Sequence, residues 1–215
     1  MRQLLAIAVL LATGLTGCGE PNSQSRGIYM LMDTSGTYSE ELQKARLIIN
    51  VILTRLDTGD SFAVARIDTG SFSEKDIIAK ATFDERPSLA NRQKRVFQEA
   101  LDNFVATVKP ASYTDITGGV LQAAEYLNEK NSGRKVVLIF SDLAEDLKDG
   151  YIRDIPLELD GFDVVALNVT KLGSDNIDPR DYMRRLEAWR ERVEASGGRW
   201  RVINDLDRLD TGFLG

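Results

Sequence analysis

Two hydrophobic periodicities alternate along this chain. Short, nearly unbroken apolar runs, Ile28-Tyr29-Met30-Leu31-Met32, residues 135–141 and residues 162–169, predict strands covered on both faces. Residues 60–68 predict a further strand, residues 76–83 one near a sheet edge, and residues 199–203 a closing strand. Between these runs, apolar positions recur at helical spacing. Leu42, Ala45, Ile49, Ile52, Leu53 and Leu56 mark one buried face; Leu89, Val96, Phe97, Ala100, Leu101, Phe104 and Val108 mark a second helix, stopped by Pro110. Residues 116–127 predict a third helix, and Tyr182, Leu186, Trp189 and Val193 a last one. The acidic stretch 144–159 is expected to carry a short helix, and residues 205–215 to form a C-terminal tail. Strands alternating with helices predict an α/β fold over residues 27–204: a doubly wound, mostly parallel sheet with helices on both faces.

Candidate chemistry sits where predicted strands end. Asp33-Thr34-Ser35-Gly36-Thr37 follows the first apolar run and precedes the first helix. It offers one carboxylate and two hydroxyls at alternate positions, on a loop expected to face solvent. Such hard oxygen donors suit Mg²⁺ or Mn²⁺ far better than zinc. Ser112-Tyr113-Thr114-Asp115-Ile116 opens the third helix, and Ser141-Asp142 ends the strand 135–141. Helix capping and ordinary turns use the same residue types, so each of these loops also has a purely structural reading.

The D-x-S-x-T of residues 33–37, the T-D at Thr114-Asp115 and the strand-ending S-D at Ser141-Asp142 together resemble the von Willebrand factor A (VWA) domain, over residues 27–204. The resemblance implies a VWA, Rossmann-like sheet and a metal-ion-dependent adhesion site. Ser35, Thr37 and Thr114 would be direct ligands of Mg²⁺, or of Mn²⁺ or Ca²⁺, with Asp33 and Asp142 acting through water. One coordination position would stay open for an acidic side chain of a partner protein. Thr37 stands in the family's last Ser position, and Leu143 where the family commonly carries Gly. Two other readings stay open on the same scaffold. One is a Mg²⁺-dependent hydrolase, with Asp115 or Glu145 as candidate base; the other is a structural envelope subunit with a vestigial site.

The N-terminus changes the picture of location. Met1-Arg2 supplies a positive start, residues 4–15 are almost wholly apolar, and Leu15-Thr16-Gly17-Cys18 closes the stretch. The apolar stretch is short for a membrane span and reads as a signal peptide, residues 1–17. Its end resembles the lipobox of bacterial lipoproteins, which implies that Cys18 is acylated and anchors the chain to a membrane. Cys18 is the only cysteine, so no intramolecular disulfide can form. Residues 18–26 would be the lipidated Cys and a polar tether. Gly19 in place of the Asp that retains lipoproteins at the inner membrane of enterobacteria implies the outer membrane, facing the periplasm.

Composition removes several classes. The chain of 215 residues has a net charge of −6, which disfavours nucleic acid as a partner. It contains no histidine, which excludes His-based triads and His-ligated zinc. Asp68-Thr69-Gly70-Ser71 looks like an aspartic-protease motif, repeated as Asp57-Thr58-Gly59 and Asp210-Thr211-Gly212. The long helical patterns leave no room for two β lobes sharing a catalytic carboxylate pair. A haloacid-dehalogenase-type phosphatase would need Asp where Ser35 stands, and a response-regulator receiver is intracellular. A binding role is therefore expected, without catalysis.

Overall fold

The apolar runs become the strands of one sheet in this computed structural model, which describes residues 22–205 apart from 37, 39–40, 68–72, 148, 151–154, 173–175, 177 and 179. The strands are β1 (Asn22–Asp33), β2 (Ser61–Ile67), β3 (Ile77–Thr82), β4 (Ser132–Phe140), β5 (Phe162–Leu167) and β6 (Arg199–Ile203). Their order in the sheet is β3-β2-β1-β4-β5-β6. All neighbours pair in parallel except β3, which runs antiparallel to β2 at the sheet edge. The helices are α1 (Leu42–Arg55), α2 (Pro87–Thr107), α3 (Ile116–Lys130) and α4 (Arg180–Ala195). Among the described residues no helix is long and apolar enough to cross a membrane.

Alternate residues of each central strand feed two separate cores, as the two-residue repeat of a strand requires. Ile28, Met30, Met32, Val64, Val136, Leu138 and Phe140 pack with Ala45, Ile49, Ile52, Phe97 and Leu101 of α1 and α2. Tyr29, Leu31, Ala65, Val137, Ile139 and Val164 pack with Val120, Ala123, Trp189 and Val193 of α3 and α4. This is the doubly wound arrangement expected. Gly119 lets α3 lie close on β1, since a Cβ there would come within 2.8 Å of Leu31.

Two local expectations are corrected. Residues 22–26, expected as tether, belong to β1 and pair with β4 (Asn22 with Ser132, Arg26 with Arg134). The lock is Arg26, whose Nε and backbone N–H donate to the buried carboxylate of Asp60 at 3.0 and 2.7 Å. A polar sequence thus becomes strand because a distant carboxylate satisfies it. The described part of residues 144–159 holds no helix; Asp146 instead bridges to Thr114. The signal segment, Cys18, the Asp68 motif and residues 206–215 lie outside the described residues.

Candidate functional site

The chain leaves β1 for β2 on one side, while β4 and β5 lie on the other. Ligands in open α/β sheets bind outside the carboxyl ends of strands at such a reversal. Asp33 is the last residue of β1, and Ser141 and Asp142 directly follow β4. The register sets Met32 opposite Phe140, so Asp33 and Ser141 emerge side by side. The Ser141 hydroxyl donates to Asp33 Oδ2 at 2.7 Å, and the Ser35 N–H donates to Asp33 Oδ1 at 2.8 Å. Asp33 was expected on a solvent-facing loop; it is fully buried, because it still pairs with Ile67 of β2 and is met by Ser141 on the other side.

The other loops join here through backbone bonds. Ala111 N–H donates to the Thr34 carbonyl at 2.7 Å, and Ser35 and Ala111 form a parallel bridge. Thr114, itself buried, exchanges two backbone hydrogen bonds with Asp146, at 2.8 and 3.0 Å. The segment 111–114 is therefore tied to the first loop at one end and to the loop after β4 at the other. Asp142 is buried, and its Oδ1 accepts the Ala144 N–H at 2.9 Å. Asp33, Ser35, Thr114 and Asp142 thus lie on three segments that are bonded to one another; Thr37 lies outside the described residues.

Leu143, the residue in the expected glycine position, has φ +65°. The left-handed conformation glycine adopts without strain is therefore present here with a leucine, at about 1–2 kcal/mol of backbone strain. Burial of the Leu143 side chain in the core under α3 and α4 offsets that strain.

The carboxylates proposed as hydrolytic bases are otherwise engaged. Asp115 caps α3 by accepting the Gly118 N–H at 2.7 Å. Glu145 accepts both the N–H and the hydroxyl of Thr117 at 2.6 Å and pairs with Arg192 at 3.3 Å.

Sequence reasoning missed Tyr38 and Asn168. The buried Tyr38 hydroxyl donates to the Asn168 carbonyl at 2.6 Å and accepts from its side-chain amide at 2.9 Å. The same amide donates to Glu41 at 2.9 Å. The loop after β1 is thereby pinned to the end of β5. Asn at the end of an apolar run, tolerant of the φ of +52° it adopts, was the available signal. Burial pushes the Tyr38 phenol above its ordinary range; the Asn168 bond opposes this, and the charges of Glu41, Asp33 and Asp142 add to it. Both candidate carboxylates therefore direct negative potential at this one hydroxyl.

Charge compensation separates Asp33 from three other buried aspartates. Asp60, Asp76 and Asp163 each pair with at least one arginine, Arg26, Arg66, or Arg134 together with Arg199. Asp33 is met only by a hydroxyl and a backbone N–H, with no Lys or Arg paired to it among the described residues. An uncompensated buried carboxylate is costly, and a bound cation would remove that cost. The nearby donors are carboxylate and hydroxyl oxygens, which fit Mg²⁺, Mn²⁺ or Ca²⁺. Among the described residues no three Asp, Glu or Cys side chains converge, so an ion here would depend on the hydroxyls.

The sequence matches no family model and no curated relative. Solved structures do share its fold. The chain is similar to the pilus adhesin SpaC from Lactobacillus rhamnosus GG in its open conformation, with a TM-score of 0.56 and 14% identity over 86% of this chain and 28% of that one. It is also similar to a von Willebrand factor type A protein from Catenulispora acidiphila, with a TM-score of 0.51 and 16% identity over 89% of this chain and 41% of that one. The fold is VWA-like, and the chain spans less than half the length of either structure.

Proposed function

We propose that this VWA-like domain is a binding module that captures an acidic side chain of a partner protein through a divalent cation, most simply Mg²⁺. Ser35, Thr37 and Thr114 would hold the ion directly, and Asp33 and Asp142 through water. The observation that carries this reading is the buried Asp33 carboxylate, without a cationic partner among the described residues, at the sheet's switch point and joined to the Asp142 loop through Ser141. An ion held mainly by hydroxyls keeps much of its positive charge and attracts an incoming carboxylate. The fold shared with a pilus adhesin agrees with a role in protein capture. The hydrolase alternative is weakened because Asp115 and Glu145 are both engaged in structural bonds.

In this reading Cys18 carries the lipid that anchors the domain to the cell envelope, at the outer membrane facing the periplasm. Loss of membrane fractionation in Cys18→Ala tests the anchor; a processed variant that still fractionates with membranes refutes it.

The metal and partner claims are tested together by Mg²⁺ calorimetry and by pull-down from solubilised envelope with and without EDTA. Asp33→Ala and Asp142→Ala should lose both metal and partner. Thr114→Ala should weaken capture more than it weakens metal binding. Equal Mg²⁺ affinity in wild type and Asp33→Ala overturns the site, and turnover of a phosphate or peptide substrate would favour the hydrolase.

A further inference from the structure

The loop that carries Asp142 is gripped by a helix that contributes nothing to the candidate site. Arg185 Nε donates to the Asp142 carbonyl at 3.2 Å, and Trp189 Nε1 donates to the Leu143 carbonyl at 3.2 Å. Arg192 reaches Glu145 at 3.3 Å and the Thr117 hydroxyl at 2.6 Å. Positions 185, 189 and 192 form one stripe of α4. Each turn of this stripe bonds the next part of the loop, from residue 142 to residue 145. Trp189 and Val193 of α4 are buried, with Tyr182 and Leu186 packed beside them, and these bonds add to that docking.

The grip falls on the strained residue. Leu143 is left-handed, and both of its backbone polar groups are bound by side chains: its carbonyl by Trp189, its N–H by the Ser141 hydroxyl at 3.0 Å. That same hydroxyl donates to Asp33. A continuous chain of bonds therefore runs from the Trp189 indole through Leu143 and Ser141 to the Asp33 carboxylate. If the turn relaxes, Ser141 loses its donor and Asp142 loses the Ala144 N–H that holds its carboxylate.

We infer that Arg185 and Trp189 are positioning residues for the candidate cation site, holding the left-handed turn at Leu143 so that Ser141 meets Asp33 and Asp142 is kept on the adjoining turn. The inference rests on the proposed metal-binding reading and names what sets that site's affinity. Coupling of this kind is reciprocal, so the ion also tightens the grip of α4 on the loop.

Two variants remove donors while keeping most of the packing: Trp189→Phe, and Arg185→Met, which retains the apolar stem. Each should weaken Mg²⁺ binding by about fivefold or more, measured by calorimetry well below the melting temperature, where a plain stability loss leaves the affinity unchanged. Trp189→Phe in a Ser141→Ala background should cost little further affinity, because the path is already cut; a merely structural role predicts independent losses. Hydrogen exchange supplies a readout that needs no metal. Without Mg²⁺, Trp189→Phe should speed exchange of the Leu143 and Ala144 amides and spare Gly118, whose N–H is held by Asp115. Wild-type Mg²⁺ binding matched by undiminished binding in both variants overturns the positioning role and leaves the site standing. Absence of Mg²⁺ binding in the wild type overturns the site, and exchange at Leu143 then decides the positioning role alone: unchanged rates refute it.

Discussion

Tyr38 and Asn168 exchange two hydrogen bonds across a separation of 130 residues, joining the loop after β1 to the end of β5. Tyr38→Phe removes both bonds and leaves the Asn168 carbonyl without its donor, at a cost of about 1–3 kcal/mol at neutral pH. Its pH dependence is also specific. The folded phenol is held protonated above the ordinary range, mainly by burial. The unfolded chain releases that proton near pH 10, so above about pH 10 the unfolded state binds fewer protons and stability falls as pH rises. Tyr38→Phe should be less stable at neutral pH but lose stability less steeply above about pH 10. Urea unfolding across that range measures both effects, and parallel alkaline slopes would contradict the second.

Asp33→Asn separates the ion from the hydrogen bonds. Asparagine can still accept the Ser35 N–H at its single oxygen, can only donate its amide N–H toward the Ser141 oxygen, and carries no charge. The variant should keep the fold, gain stability in the metal-free state, and lose Mg²⁺ affinity. Asp33→Ala should do worse in the fold, because it leaves the buried Ser141 hydroxyl and Ser35 N–H without their acceptor, at about 1–3 kcal/mol. Melting curves with EDTA and with excess Mg²⁺ decide this: a metal-free Asp33→Asn less stable than wild type would mean that the carboxylate is not a liability.

At Leu143 two effects oppose each other. Glycine would relieve about 1–2 kcal/mol of left-handed strain, but truncating a buried leucine costs about 2–5 kcal/mol. Packing wins, and Leu143→Gly should be destabilised by about 1–3 kcal/mol in urea. A variant as stable as wild type would show that strain, not burial, dominates at this turn.

Asp163 predicts the acid limb. Burial disfavours its charge, yet Arg199 at 2.7 Å and Arg134 at 3.2 Å outweigh this and hold the carboxyl below its usual range. A depressed folded value gives stabilisation that is complete above the ordinary Asp value of about 4 and is lost as pH falls below it. Asp163→Asn should cost about 1–2 kcal/mol at neutral pH, the lower part of the range because Arg199 is largely exposed, and should flatten the decline below about pH 4. An unchanged acid limb would assign that decline to other carboxylates.

Apolar patterning carried the fold because every central strand is covered on both faces, and such strands announce themselves as unbroken runs, as Ile28–Met32 does. Residues 22–26 were not legible as strand: the carboxylate that holds Arg26 in β1 belongs to Asp60, far along the chain. The candidate site was legible at Asp33, Ser35, Thr114 and Asp142, since strand ends and helix starts can be read locally. What could not be read was the pairing of β1 with β4, which makes Ser141 the neighbour of Asp33. Nor could the hold of Trp189 on Leu143, which depends on how a helix late in the chain lies over an earlier loop. Local sequence names the donors, whereas sheet order and helix docking decide which donors meet.

The direction of β1 gives the proposed anchor a geometric consequence. The strand begins at Asn22 and ends at Asp33, and because its irregularity between Asn22 and Arg26 fits four steps against two of β4, it rises roughly 30 Å at ~3.3 Å per residue. With Cys18 acylated, the four steps to Asn22 allow at most about 14 Å more. The domain then stands on the bilayer by the amino-terminal pole of its sheet and holds the cation site at the opposite pole, as a short post carries a hook at its tip. A small partner lying flat in the same leaflet would sit below the hook. An anchor of this kind would select partners that arrive from across the aqueous space, or that rise a comparable height from the membrane they share.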